Sequence, residues 1–578
     1  MSFLLNLATV LIYYCVLIFS YLGFGWIASR LLSINFIQSE KPFSLIWLGW
    51  AVALLLLQIL NVFVPIAAIV SILLLLAGLI LALVFLKMNF KELDAFPASR
   101  PWLGLTGIAA IFTAILSMQA STGYDSGLYH FNSIRWLNEY PIVLGLGNLH
   151  SRLAFNQSFF VYAAQLNLYP LFKHGHNIAN GFLIFLLSAE CLFILSNHVT
   201  KRDKAAGLPP GNLFAIFVIP VIIYLALYTN ISSPAPDITA YLLQILIFIH
   251  FIRDIDEYSS VKNDDARMLF IFSMSASAIT VKISSLVFAA AICLLLLISR
   301  LKYWRLTPKQ AIIKIIKMTA LPAFIMMIWS LRGILISGCP LYPSTLGCIK
   351  TAWAVPTELV QQVADVIYSW SRVKRASPEN VLSSWDWLTP WFHTVVLGNK
   401  SLFIYPLIIA GLCLMACLIL RFRGQLPKAL NKNIFLIPVP ILTGLIFWFF
   451  TAPGFRFIQA LVLILPIATA AILISIFKTT GKLRNAAVIA MFLIVNINIV
   501  WAILEDIEPL TEISIQSFRP VKTVRLIKNT TLSGLAVFSP KKDDQCWDSE
   551  LPCTPEFRAE LEFDDNNFFP EFRLAGGN

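Results

Sequence analysis

One polar stretch of the sequence, STGYDSGLYHFNSIRWLNEYP at residues 121–141, follows four strongly apolar segments. It places Asp125, Tyr129 and Asn132 at i, i+4 and i+7, so a helix over 125–138 puts all three on one side. An ionised aspartate can take the proton of a hydroxyl group as its oxygen attacks an activated carbon. The stretch therefore predicts a general base at Asp125. The alternative is an interfacial helix whose polar face only meets water.

Three cations stand at or just inside the ends of apolar segments: Lys282 in ITVKISS, Arg332 in SLRGILISGCPLYPS and Arg456 in TAPGFRFIQA. A fixed cation is costly at such a level unless it meets an anion. Basic groups that converge from different helices can bind a phosphate or pyrophosphate and stabilise it as a leaving group. We expect these three to hold a departing phosphate near Asp125, although a lysine can also snorkel to the interface.

Further candidate substrate contacts lie in two other polar stretches. The segment GLGNLHSRLAFNQSFF, at residues 145–160, carries His150, Arg152 and Asn156. In SSPAPDITAY, two prolines precede Asp237 at the start of an apolar segment. A carboxylate at that position can cap the helix or bind a ligand, and the sequence leaves both roles open.

The elements that must position these residues follow from composition. Of 578 residues, 58% are hydrophobic and 13% are charged, and the mean hydropathy is +0.78. A chain this apolar belongs in a bilayer, where a spanning segment satisfies its own backbone polar groups as a helix. We expect an all-α, polytopic transmembrane helical bundle. Hydropathy predicts about fourteen spans, near residues 5–29, 44–60, 64–86, 103–120, 178–197, 212–229, 237–253, 267–281, 284–299, 316–337, 402–420, 434–451, 458–477 and 486–504.

The charge distribution predicts the orientation. The net charge of +12 comes from basic residues in short loops rather than on one contiguous face, which argues against a nucleic-acid partner. By the positive-inside rule, the basic loops stay in the cytoplasm. The external side then carries the candidate residues, in segments 121–177, 230–236, the turn at Lys282, 338–401, 452–457 and the tail from about 505.

The tail, residues 505–578, differs in character from the rest of the chain. It holds fourteen acidic and eight basic residues and is expected to be a small soluble appendage. Four cysteines lie in segments expected outside. Cys546 with Cys553, and Cys339 with Cys348, could pair as short disulfides, which needs an oxidising space such as a periplasm.

Five short motifs occur in an order that resembles the GT-C superfamily of integral membrane glycosyltransferases, which includes bacterial aminoarabinose transferases and protein O-mannosyltransferases. They are YDSGLYH, SSPAPD, TVKIS, RGILISGCPLYP and PGFRF. The resemblance rests on the order of several weak motifs. It implies a catalytic membrane domain at 103–504, preceded by extra helices at 1–102. The catalytic external loop is then 121–177, a second external loop is 338–401, and a soluble tail follows at 505–578.

The resemblance implies a membrane glycosyltransferase. The donor would be a sugar on a polyprenyl phosphate, itself a membrane lipid, and the acceptor a glycan, lipid or protein at the external face. Asp125 matches the family's loop acid. The other residues in or beside the matching motifs are expected substrate contacts: Tyr129, His130, Asp237, Lys282, Arg332, Tyr342 and Arg456. The implied location is a bacterial inner membrane, with the active site and the tail on the periplasmic side.

The chain departs from the family pattern in the residues of two motifs. The family often has two adjacent acids where this chain has Asp125 and Ser126, so a metal-assisted reaction is disfavoured and no resident cofactor is expected. The later G-N-P motif is Gly338-Cys339-Pro340 here.

Other protein classes compete with the enzyme. The main alternative is a transporter or flippase, or a polymerase or ligase, of lipid-linked saccharides, and a degenerate enzyme kept as a scaffold is another. Transporters place ionisable residues at the bilayer midplane. The candidates here cluster at one face, which favours surface chemistry.

Overall fold

Helices dominate the computed structural model, which confirms the expected all-α class. It describes residues 3–36, 41–94, 99–200, 208–257, 264–303, 307–424, 432–476, 482–511, 513–515, 517–565 and 569–575. The α-helices in them are α1 Phe3–Leu31, α2 Lys41–Phe63, α3 Ala68–Asp94, α4 Arg100–Ser117, α5 Phe131–Glu139, α6 Ser158–Gln165, α7 Ala179–Thr200, α8 Pro210–Phe217, α9 Ile219–Tyr228, α10 Pro236–Glu257, α11 Asp264–Val281, α12 Leu286–Tyr303, α13 Pro308–Ser337, α14 Thr357–Arg372, α15 Pro378–Leu382, α16 Leu388–Trp391, α17 Ile404–Phe422, α18 Val439–Phe450, α19 Gln459–Ile476, α20 Lys482–Glu505 and α21 Glu508–Thr511.

Thirteen helical segments among the described residues are long and apolar enough to cross a membrane. They coincide with thirteen of the predicted spans, and α8 and α9 together form the one at Pro210–Tyr228. The other predicted span, 267–281, falls within α11, which is not among the thirteen. This architecture fits a multi-pass membrane protein.

The centre of the bundle is formed by α10, which is buried over its whole candidate span, with α2, α7 and α19, which are buried over most of theirs. In contrast, α3, α13, α17 and α20 expose many apolar side chains. The α1–α2 contact depends on glycine, since a Cβ on Gly49 would lie 1.7 Å from Tyr21 O. Small residues let helix backbones approach closely in this way, as they do in membrane bundles.

The polar segments predicted to share one side meet at one end of the bundle. Residues 121–123 hydrogen-bond to residues 230–233. Helix α14, which belongs to the segment 338–401, ends at Arg372, and the Arg372 Nη1 group donates to Thr451 O at 3.1 Å. These contacts join stretches that are distant in sequence in two pairs, 121–123 with 230–233 and α14 with the end of α18.

The tail contains short strands. Two antiparallel pairs form, β1 Leu526–Thr530 with β2 Ala536–Pro540 and β3 Leu561–Asp564 with β4 Glu571–Leu574. The structure also joins Cys546 to Cys553 in the tail and Cys339 to Cys348 after α13 as disulfides.

The tail packs on the loop at 121–177. Leu144 of that loop donates its backbone N–H to Pro570 O at 2.8 Å and accepts from Phe572 N at 2.9 Å. Asn148 Nδ2 donates to Phe572 O at 3.2 Å. The expected appendage is therefore a cap over the loop that carries Asp125.

Candidate active site

Asp125 forms a direct ion pair with one of the three predicted cations. Arg456 Nη1 donates to Asp125 Oδ2 at 2.8 Å, and the arginine and aspartate side chains are 45% and 23% exposed. The ion pair keeps a carboxylate and a cation that can bind a phosphate within hydrogen-bond distance of each other. Since nearly half of Arg456 is exposed, an incoming anion can reach it without any change in the bundle.

Lys282 lies beside this pair. Its Nζ donates to Asp237 Oδ1, and both side chains are mostly buried. Lys282 Nζ and Arg456 Cζ lie 4.8 and 4.9 Å from the centroid of one ring, that of Phe457. Arg456 also lies 5.5 Å from the Trp370 ring. Two carboxylates and two cations therefore share one small site held on aromatic faces.

Hydrogen bonds between two of the sequence motifs hold both aspartates at the same end of the bundle. Gly123 N donates to Ser233 Oγ at 3.0 Å, which fixes the residue before the motif YDSGLYH on the motif SSPAPD. Asp125 then precedes a π-helical turn, Ser126–His130, that continues into α5. Asp237 stands in the first turn of α10, directly after Pro236, the first residue of that helix.

The short loop that presents Arg456 is fixed by aromatic side chains. Trp391 Nε1 donates to Pro453 O at 2.6 Å. The hydroxyl of Tyr241, from the central helix α10, donates to Arg456 O. The guanidinium therefore projects from a backbone that is tied to the bundle core.

The charges around Asp125 keep it ionised. Burial raises the pKa of Asp125, but the surrounding charges, Arg456 foremost, outweigh burial and leave the pKa below its usual value. Burial lowers the pKa of the neighbouring His130 to about 3, although Asp125 opposes this shift. Ser126 Oγ lies 3.1 Å from His130 Nδ1. At neutral pH the site thus holds an anionic Asp125 beside a neutral imidazole.

The polar side of the Asp125 helix is covered by the tail. Asn132 Nδ2 donates to Trp547 O at 2.9 Å, and Trp547 N donates to Gly127 O at 2.7 Å. Tyr129 and Asn132 are both buried. The alternative of a helix whose polar face only meets water is therefore wrong.

Arg332 and Asn156 lie apart from the Asp125 pair. Arg332 is 3% exposed, and its Nη1 donates to Gln58 O of α2 at 3.1 Å. Asn156 exchanges two hydrogen bonds with Trp329 of α13, at 2.6 and 2.7 Å. Both border a separate cavity between α5, α6 and α13. The structure does not bring Arg332 into the cation group around Asp125.

His150, Arg152 and Tyr342 form a second group, which includes the tail. His150 Nε2 lies 3.6 Å from Glu556 Oε1. Arg152 and Tyr342 line one cleft together with Glu556 and Arg558. Burial lowers the pKa of His150, so this buried imidazole is neutral at pH 7.

Several residues of both groups were not predicted from the sequence: Trp370, Phe457, Trp547, Glu556 and Arg558. Phe457 had a signal, since it follows Arg456 in PGFRF. The tail residues had none, because they lie more than 400 positions from their partners, as in the Ser151–Glu556 hydrogen bond.

The described residues do not bring together three or more histidine, cysteine, aspartate or glutamate side chains as metal ligands would be. Asp125 and Asp237 are each already paired with a cation. The absence of a resident metal stays a prediction.

The fold and site define a chain of many membrane-sized helices with a paired carboxylate–cation site at one end. The chain belongs to the family described as Domain of unknown function (DUF8201), whose model matches residues 7–463. The matched region includes Asp125, Asp237, Lys282 and Arg456, and it ends before the tail. No curated protein and no solved structure matches the chain.

Proposed function

We propose that this protein is a membrane glycosyltransferase that moves a sugar from a polyprenyl-phosphate donor to a glycan, lipid or protein acceptor. The observation that supports this most is the ionised Asp125 in contact with the half-exposed guanidinium of Arg456. We place the site and the tail on the periplasmic side of a bacterial inner membrane. The pairing of a carboxylate base with a cation that can accept a phosphate is the chemistry that this transfer needs.

The transfer step uses both pairs. The donor phosphate takes Arg456 and Lys282 from their aspartates, and its negative charge is stabilised there. The acceptor oxygen forms a bond to the anomeric carbon as the bond from that carbon to the phosphate oxygen breaks. The phosphate leaves with the bonding electron pair, and Asp125 receives the proton of the acceptor hydroxyl.

The release of Arg456 also strengthens the base. Burial raises the pKa of Asp125, and Arg456 is the foremost charge that lowers it. When the guanidinium turns to the phosphate, it no longer lowers the pKa of Asp125 as strongly, while burial still raises it. The pKa of Asp125 therefore rises. The neutral, buried His130 leaves Asp125 as the charged acceptor at this point.

The test is transfer of radiolabelled sugar from a panel of polyprenyl-phosphate sugars to membrane extracts by the purified full chain. We expect one donor to be used and Asp125→Asn to lose about 100-fold or more of the rate, the usual range for a general base. Glu139→Gln is the matched control, because Glu139 pairs with Arg135 at 2.6 Å on the same loop but lies outside the site.

Two results would contradict the proposal. One is a wild-type protein that transfers no sugar from any donor in the panel, in which case a liposome flipping assay tests the transporter alternative. The other is an Asp125→Asn protein as active as Glu139→Gln, which would remove the base assignment.

A further inference from the structure

A second cleft lies where the tail meets the external loop, and we call it the tail cleft. It is open to solvent, and its empty space, counted with the solvent at its mouth, is about 630 Å³. The loop contributes its 3₁₀ segment Ser151–Phe155 and Gly147, the segment after α13 contributes Tyr342 and Val355, and the rest comes from α14 and the tail.

Two polar groups in the tail cleft have no protein partner that satisfies them. Arg152 is half-buried and packs 5.4 Å from the Phe155 ring, and within the described residues it has no carboxylate partner. Tyr342 is 5% exposed, and its buried hydroxyl makes no hydrogen bond to the described residues. A buried hydroxyl and a partly buried guanidinium without partners are costly, which points to a ligand that carries hydrogen-bond acceptors.

Glu556 does not supply those acceptors, because its own oxygens are engaged. Ser151 donates to it through N at 3.2 Å and Oγ at 2.7 Å, and Arg558 Nη2 lies 3.5 Å away. Arg558 in turn donates to Asn148 O at 3.2 Å. Among its lining residues, the tail cleft therefore carries two guanidinium groups against one carboxylate, and the charge of Asp544 also acts on the neutral His150 beside it.

The opposite wall of the tail cleft is mostly apolar, with Gln362 as its one polar side chain from α14. Leu359, Val363 and Val366 stand at i, i+4 and i+7 of α14 and present one face of that helix to the cleft. Val355 extends the same wall. A ligand that fits both walls has one negative group next to an apolar part.

The tail cleft is close to the Asp125 site. The Phe155 ring lies 6.0 Å from the Tyr342 ring and 5.8 Å from the Tyr129 ring. Tyr129 belongs to the turn that begins at Asp125, and its pKa, raised chiefly by burial, is raised further by the charge of Asp125 and lowered by that of Arg152. The Phe155 and Tyr129 rings therefore lie between the tail cleft and the Asp125 site. A saccharide chain is long enough to reach past these rings from one site to the other.

We propose that the tail cleft binds the acceptor through one singly charged anionic group, a carboxylate or a phosphodiester, held by Arg152, Arg558 and the Tyr342 hydroxyl. The apolar part next to that group lies on α14. The role of the ligand as acceptor rests on the proposed function, whereas the binding of the anionic group does not. The tail is then part of the substrate site and selects acceptors that carry a negative charge.

The test compares two amphiphiles that differ only in one carboxylate, octyl glucuronide and octyl glucoside. Equilibrium binding of each to the full chain in phosphatidylcholine nanodiscs is measured without donor, so that an inactive enzyme cannot hide the result. We expect the glucuronide to bind roughly tenfold or more tightly, the order of one charge-assisted hydrogen bond. Binding of octyl methyl phosphate, a phosphodiester with an apolar part, and of inorganic phosphate is measured in the same way. Comparing the two shows whether the cleft recognises a phosphodiester next to an apolar part or only a free phosphate.

Variants locate the binding site. Arg152→Gln and Arg558→Gln should each abolish the preference for the glucuronide, and Tyr342→Phe, which keeps the ring, should weaken it severalfold. Arg573→Gln is the matched control, since Arg573 is a tail arginine paired with Glu562 at 2.7 Å outside the cleft. Asp125→Asn should keep the preference.

The proposal is overturned if the two octyl glycosides bind equally, if Arg152→Gln and Tyr342→Phe keep the full preference, or if Arg573→Gln loses it. A glucuronide preference in a protein that transfers no sugar would retain the anion site and reject only the proposed function.

Discussion

A single methyl group at Gly127 should loosen the contact between the tail and the Asp125 turn. A Cβ at this position would lie 2.5 Å from Trp547 Cε2 and 2.8 Å from Nε1. A buried indole ring cannot swing aside as the end of a flexible side chain does, so Trp547 must shift. The shift strains the two hydrogen bonds that join Trp547 to Gly127 and Asn132.

The expected magnitude follows from two opposing effects of Gly127→Ala. Extra atoms in a packed interior typically cost about 1–3 kcal/mol. Alanine also restricts the unfolded chain, which returns about 0.4–1 kcal/mol. The free energy that closes the tail on the loop should therefore fall by roughly 1–2 kcal/mol, which raises the open population about 5–30-fold.

Hydrogen exchange of the full chain in nanodiscs measures that population. In Gly127→Ala we expect faster exchange at amides of 126–139 and 546–553, with the central helix α10 unchanged. Gly104→Ala in α4 is the control, because a Cβ there meets nothing within 4 Å. Under the proposed function, Gly127→Ala should also slow transfer, since Asp125 lies two residues away.

Two outcomes would refute this reasoning. If Gly127→Ala exchanges like the wild type at these amides, Trp547 does not hold the Asp125 turn. If Gly104→Ala shows the same acceleration, the effect comes from a general loosening of the bundle and not from the contact with Trp547.

Three further predictions concern charge, pH and the tail disulfide. Asp237→Asn leaves Lys282 mostly buried without its counter-charge, so it should cost about 3 kcal/mol and lower Tm well beyond Glu139→Gln; an equal Tm for the two variants would contradict this. The pKa of His130 is lowered by burial from 6.5 to about 3, so the unfolded chain binds the extra proton and stability should fall as pH drops from 6.5 towards 3. His130→Gln should flatten the pH dependence of the unfolding free energy in that window, by up to about 1.4 kcal/mol per pH unit, and an unchanged slope would refute it. Replacing Cys546 and Cys553 by serine removes a disulfide that closes a short loop and stabilises the tail by about 2 kcal/mol. Hydrogen exchange at the amides of β2 should therefore be faster, and exchange as slow as in the wild type would contradict this prediction.

Hydropathy located the membrane-sized helices because a segment in hydrocarbon must be long, apolar and helical. The exception is α11, whose first turn carries Asp264 and Asp265 and lowers its mean hydropathy. The segments predicted to share one side also contact one another. This follows from the alternation of basic and non-basic loops along the chain, which can be identified in a single sequence.

The side-chain partners were only partly predictable. Asp125 and Arg456 could be expected to meet, because both stand at helix ends on the same predicted side. Arg332 could not be placed, since its direction depends on how α13 is rotated against α2, and there it donates to Gln58 O. The tail contacts could not be predicted either. Trp547 lies 415 positions from Asn132, and no repeat or period relates the two segments.

The ion pairs in the unliganded site indicate that the donor must bind before the acceptor can react. Each cation is occupied by a carboxylate, Arg456 by Asp125 and Lys282 by Asp237. While Arg456 stays on Asp125, the pKa of that carboxyl lies below its usual value and the group is a weak base. An acceptor hydroxyl cannot replace the carboxylate as the partner of the guanidinium, whereas the donor phosphate can. Under the proposed function, the base is therefore released only when the leaving group is in place, which couples proton abstraction to donor occupancy.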